Sequence, residues 1–115
     1  MSVTIYHNPR CSKSRQTLAL LHERDVELRV IEYLEQPPSP EKMDQILRLL
    51  DLEPRELMRT SEAPYKALNL ASPAMDREAL IDAMCANPIL IQRPIVLANG
   101  KAAVGRPPEQ ALEIL

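Results

Sequence analysis

The sequence predicts an α/β fold: a four-stranded mixed sheet, with a helical insertion between its second and third strands. Three observations carry this expectation. VTIYH at 3–7 precedes a helix-forming run and then LRVIEYL at 28–34, the strand, helix, strand order of a right-handed parallel crossover. The proline cluster Gln36-Pro37-Pro38-Ser39-Pro40 then opens a long stretch with helical spacing. Finally, Asn99-Gly100 separates two short strand-like runs, and the favoured tight hairpin turn needs positive φ at both central positions.

In chain order, Val3 to His7 is short, β-branched and aromatic, and Asn8-Pro9 ends it with a turn. A helix begins near Cys11 or Ser12, and Thr17, Leu18 and Leu21 form the stripe it lays on the sheet. Leu28 to Leu34 is apolar enough to be expected as a mostly buried second strand. Ser39 caps and Pro40 opens an amphipathic helix over 41–51, with Met43, Ile46, Leu47 and Leu50 inward. Pro54 starts a short helix through Met58 and Arg59, Tyr65 to Leu70 is helical, and Asp76 caps a helix with Leu80, Ile81, Met84 and Cys85 inward. Asn87-Pro88 ends it. The runs 94–98 and 101–105 make the hairpin, and Pro107-Pro108-Glu109 opens a last helix to Leu115. This order is a thioredoxin-like layout with an insertion of about 50 residues, within the size of an ordinary subdomain. The expected organisation is one domain over 1–115 with a helical subdomain at approximately 37–87.

Composition narrows the function. A chain of 115 residues is long enough to bury roughly 60 to 70% of its unfolded surface without staples. Two cysteines are too few for a disulfide scaffold, and neither a leader pattern nor a membrane-length apolar run is present. A cytoplasmic protein with reduced thiols is expected. With 14 basic and 16 acidic residues, no Trp and no Phe, neither a nucleic-acid surface nor a membrane partner is implied.

The chemistry concentrates at YHNPRCSKSR, residues 6–15. Cys11 stands where a strand hands over to a helix. Free amides and the helix dipole there can lower a thiol pKa from about 8.5 to between about 3.5 and 7.5. Arg10, Lys13 and Arg15 add positive field, and His7 could donate to the thiolate or help lower its pKa. Position 14 is serine where a dithiol oxidoreductase carries its resolving cysteine, so the resolving thiol must come from a small thiol, another protein or Cys85. Cys85 lies on an apolar helix face without a nearby cation and reads as a packing residue, and His22 reads as a surface residue. Two Cys and two His lack metal-ligand spacing. Arg59, Arg93 and Arg106 stand at element boundaries, and the guanidinium fork suits tetrahedral oxyanions. Pro94, opening the strand opposite the cysteine, is a candidate for a cis peptide bond.

The motifs IYHNPRCSKSR at 5–15, YLEQPPS at 33–39, ELMR at 56–59, PILIQRPIV at 88–96 and GRPPEQALEIL at 105–115 resemble, in order, the arsenate reductase family of the glutaredoxin-coupled, thioredoxin-fold type. The resemblance is to its subgroup with the CSKSR form. It implies that Cys11 is the nucleophile, that Arg59, Arg93 and Arg106 bind the oxyanion, and that His7 influences the thiol pKa. It further implies that Ser14 and Arg15 belong to the active-site loop and that Pro94 is the cis proline. No bound cofactor or metal is implied; glutathione is the co-substrate, glutaredoxin the partner, and arsenate or a similar oxyanion the substrate, in arsenic detoxification. Well-characterised members carry Gly-Thr after the cysteine, where this chain has Ser12-Lys13. Serine costs little there if the position is helical, and is strained if it needs positive φ. Two rival readings remain: a glutathione-dependent thiol oxidoreductase acting on another oxyanion or a mixed disulfide, and an RNA-polymerase-binding transcription regulator.

Overall fold

The computed structural model describes residues 1–115, which divide into two compact units, Met1–Gln36 with Arg93–Leu115, and Pro37–Gln92. The first contains strands β1 (Ser2–His7), β2 (Glu27–Glu32), β3 (Ile95–Ala98) and β4 (Lys101–Val104) with helix α1 (Ser12–His22). These strands form one sheet in the order β2-β1-β3-β4. β1 pairs with β2 in parallel, from Ser2↔Glu27 to His7↔Glu32, and antiparallel with β3, from Val3↔Ala98 to Tyr6↔Ile95. The β3–β4 hairpin turns at Asn99 (φ 54°) and Gly100 (φ 68°), the positive pair its sequence predicts. This mixed four-stranded sheet is a thioredoxin-like fold.

Alternation along β1 puts Val3 and Ile5 on the face where Leu21 of α1, Val96, Ala98, Ala111 and Ile114 close a core. Val3, Ile5, Leu21 and Val96 have no exposed surface, and burial of such side chains contributes about 1.5–3 kcal/mol each. The last segment, Pro108–Ile114, is helical as expected but wound as a 3₁₀ helix. One expectation is corrected: β2 is not mostly buried. It lies at the sheet edge, with only Leu28 and Ile31 partly covered and Val30 43% exposed. Its apolar run resembled a central strand, but a strand with one neighbour has fewer groups to cover it, and Glu27, Arg29 and Glu32 protect the open edge.

The second unit holds α2 (Pro40–Leu50), α3 (Ala63–Ala67) and α4 (Arg77–Ala86), with 3₁₀ turns at Pro54–Leu57 and Pro88–Leu90. Ser39 and Asp76 cap α2 and α4 by accepting the Lys42 and Ala79 N–H groups at 3.1 and 2.8 Å, each cap contributing about 1 kcal/mol. α2 packs against α4, burying Met43, Ile46 and Leu47 from one and Leu80, Ile81 and Met84 from the other. The helix predicted at Tyr65–Leu70 instead runs Ala63–Ala67; Pro64 occupies its first turn and Asn69 takes positive φ beyond its end. No helix is long and apolar enough to cross a membrane.

Candidate active site

Cys11 is the N-cap residue of α1, with extended backbone (φ −95°, ψ 123°). Its N–H donates to the Asn8 carbonyl and its own carbonyl accepts the Arg15 N–H, both at 3.0 Å, so the turn after β1 passes directly into the helix. Asn8 Oδ1 accepts the Arg10 N–H at 3.0 Å, and the Arg15 guanidinium donates to the Pro9 carbonyl at 2.9 Å. Arg15 therefore ties the loop together. Ser12 begins α1 and is not among the residues with positive φ, so the serine following the thiol carries no backbone strain.

Beneath the loop, Ser14 is fully buried. Its Oγ accepts the Asn8 N–H at 3.0 Å and lies 2.6 Å from Nδ1 of buried His7. Burial pushes the His7 imidazole below its ordinary pKa; Glu32 opposes this and Arg15 adds to it. Burial thus favours the neutral ring, and the tautomer sets which partner donates in the His7 Nδ1–Ser14 Oγ hydrogen bond. His7 thus bonds the residue that anchors the first turn of α1.

Cys11 is buried, with 8% of the residue exposed. Burial alone pushes its pKa up, but the Ser14 N–H, the Arg93 guanidinium acting by hydrogen bond and charge, and the Lys13 N–H together outweigh burial. The thiol lies below its ordinary pKa. No acidic residue sits in the first turn of α1 to neutralise the open amides. Arg106 Nη2 approaches Sγ at 3.6 Å while its Nε donates to the Arg93 carbonyl at 2.8 Å. Arg106 is exposed at this long contact, so water screens it, and Arg93 is the stronger electrostatic partner. Arg10 and Lys13 are exposed, and Lys13 acts on the thiol through its amide.

The Arg93–Pro94 peptide bond is cis, as is Arg106–Pro107. Within the second unit, the Arg59 N–H donates to the Leu90 carbonyl at 2.6 Å and its guanidinium pairs with Glu62 at 3.4 Å. No group of three or more His, Cys, Asp or Glu side chains is arranged to hold a metal ion. Cys85 is partly buried on α4; burial first, then Asp82 and Glu41, push its thiol up to about 11. Iodoacetamide at pH 7.5 is therefore expected to label Cys11 at least about tenfold faster than Cys85, read by peptide mass mapping; equal labelling would contradict this environment. Sequence reasoning overlooked Thr17 as a polar contact and Gly105, which packs against it. The available signal was Gly105's status as one of only two glycines in the chain.

The fold and this site define a thioredoxin-fold protein with one activated thiol beside guanidinium groups. A family model described as the ArsC family matches residues 6–114, and the chain belongs to that family. It is 57% identical over 114 residues to the Escherichia coli K12 protein YfgD, covering 98% of this chain and 96% of that one. It is 47% identical over 114 residues to a protein of Neisseria meningitidis serogroup A named arsenate reductase, covering 98% of this chain and 97% of that one. Among solved structures, one named arsenate reductase from Vibrio cholerae superposes with a TM-score of 0.95 at 53% identity, covering 100% of this chain and 98% of that one.

Proposed function

We propose that the protein is a glutathione- and glutaredoxin-dependent arsenate reductase acting in the cytoplasm. The observation that carries the reading is the Cys11 thiol itself, held below its ordinary pKa at the start of α1 with Arg93 and Arg106 directed at its sulfur. A group poised as a thiolate, in a positive and largely dry setting, is both a nucleophile and half of an oxyanion site.

In this reading Cys11 attacks arsenate, forming a sulfur–arsenic bond as an arsenate oxygen leaves as water. Glutathione then attacks the bound adduct. The two sulfurs join as a mixed disulfide, their two electrons reduce arsenic from the pentavalent to the trivalent state, and arsenite leaves. Glutaredoxin with further glutathione returns Cys11 to the thiol. Arg59, Arg93 and Arg106 hold the oxyanion, and anion binding to Arg59 would replace its pairing with Glu62. His7, Ser14 and Arg15 shape the loop that presents the thiol, and Pro94 takes the place of the family's cis proline. These roles follow the family pattern at matching positions, and no bound cofactor is required.

The test is arsenite release from arsenate with glutathione and glutaredoxin, together with protection of Cys11 from alkylation by arsenate, phosphate or sulfate. Turnover above the enzyme-free rate, with arsenate protecting Cys11, is expected. Background release with protection by a different oxyanion would transfer the chemistry to that anion.

A further inference from the structure

Gly105 is buried between β4 and the last helical segment, yet it does not occupy the positive-φ region that ordinarily demands glycine. Space explains it instead. A Cβ at this position would fall on Thr17 Oγ1 and lie 2.7 Å from Pro94 Cγ and 3.1 Å from Thr17 Cγ2. Carbon atoms prefer about 3.5–4.0 Å, so one neighbour would have to move by several tenths of an ångström or more. Both neighbours are fixed. Thr17 has no exposed surface, and its hydroxyl donates to the Lys13 carbonyl at 2.8 Å, which locks its rotamer within the first turns of α1. The Pro94 carbonyl accepts the Gly105 N–H at 3.0 Å.

What meets at this junction matters more than its tightness. α1 carries Cys11 at its N-cap, Pro94 adjoins Arg93, and Gly105 adjoins Arg106, whose side chain bonds both the Arg93 carbonyl and the Cys11 sulfur. We propose that Gly105 and Thr17 are positioning residues, whose direct contact sets the separation between the Cys11 helix start and the two guanidinium-bearing segments. A bulkier residue at 105 wedges α1 away from Pro94 and withdraws the guanidinium groups from the thiol, whereas loss of the Thr17 side chain loosens the same seam. The proposal requires only that Cys11 be an activated thiol and is independent of which oxyanion the protein reduces.

The experiment measures the pH midpoint of Cys11 alkylation by iodoacetamide in the full chain, with folding checked by circular dichroism. Gly105→Ala is expected to raise the midpoint by about one unit, the size associated with loosening an opposite charge near a titrating group. Thr17→Ala is expected to raise it by about half as much, and Thr17→Ser, which keeps the hydroxyl bond to Lys13, to remain near wild type. A folded Gly105→Ala protein with the wild-type midpoint overturns the proposal, because simple packing would cost stability without retuning the thiol. If Gly105→Ala fails to fold, Thr17→Ala decides: a wild-type midpoint there overturns the proposal equally. A Thr17→Ser shift as large as that of Thr17→Ala overturns the part assigned to the hydroxyl.

Discussion

Cys11→Ser is expected to abolish arsenate turnover, by about 10³-fold or more, while leaving the protein as well folded as wild type. The two halves of this result have separate causes. A hydroxyl is almost wholly protonated at neutral pH, so it is a poor nucleophile, and it cannot form the mixed disulfide that supplies electrons to arsenic. Serine is, however, a preferred N-cap residue, and position 11 is the N-cap of α1 with the extended backbone that such caps adopt. Arsenite release and a thermal melt on the same preparation check both halves. Residual turnover above about a tenth of wild type would remove Cys11 from the reaction.

Arg93→Ala is expected to separate the thiol's reactivity from its use on an anion. Arg93 supplies both a hydrogen bond and a charge to Cys11, and its removal leaves burial opposed by the Ser14 and Lys13 amides and the longer Arg106 contact. The thiol pKa should rise toward its ordinary value. The smaller thiolate fraction at neutral pH is partly offset because the remaining thiolate is more basic and more nucleophilic. Alkylation should therefore slow by no more than about tenfold. Arsenate reduction loses the thiolate and a guanidinium clamp on the oxyanion, so kcat/KM should fall by about 10²-fold or more. Arg93→Lys should retain much of the thiol effect and less of the arsenate effect, because lysine keeps the charge but lacks the planar fork. Equal losses in both assays would mean that Arg93 acts on the thiol alone.

Local rules made much of the fold legible. Asn99-Gly100 marked its hairpin because few residue pairs accept two consecutive positive φ values, and Ser39 and Asp76 marked helix starts because their side chains satisfy amides within their own turn. Cys11 stood out because its environment at the start of α1 is set by residues within a few positions. β2 was misread because strand composition does not say how many neighbours a strand has. The positive field was legible in sign but not in source: Lys13 acts through an amide, while Arg93 and Arg106 come from the far end of the chain, the latter 95 residues from Cys11. Gly105 was invisible as a spacing residue because its requirement is set by Thr17 and Pro94, which come beside it only after the sheet forms.

By itself, then, the sequence determined the strand and helix order, the capped helix starts, the hairpin and the identity of the single thiol presented at a helix start. These depend on backbone geometry and hydrogen bonds spanning a few residues. Tertiary structure decided which strand lies at the edge, that Arg93 and Arg106 meet Cys11, that His7 bonds Ser14, and that a Cβ at 105 would crowd Thr17 and Pro94. The meeting of Arg93 and Arg106 with Cys11, and of Gly105 with Thr17, depends on the pairing of β1 with β3, which brings together segments that no local preference connects.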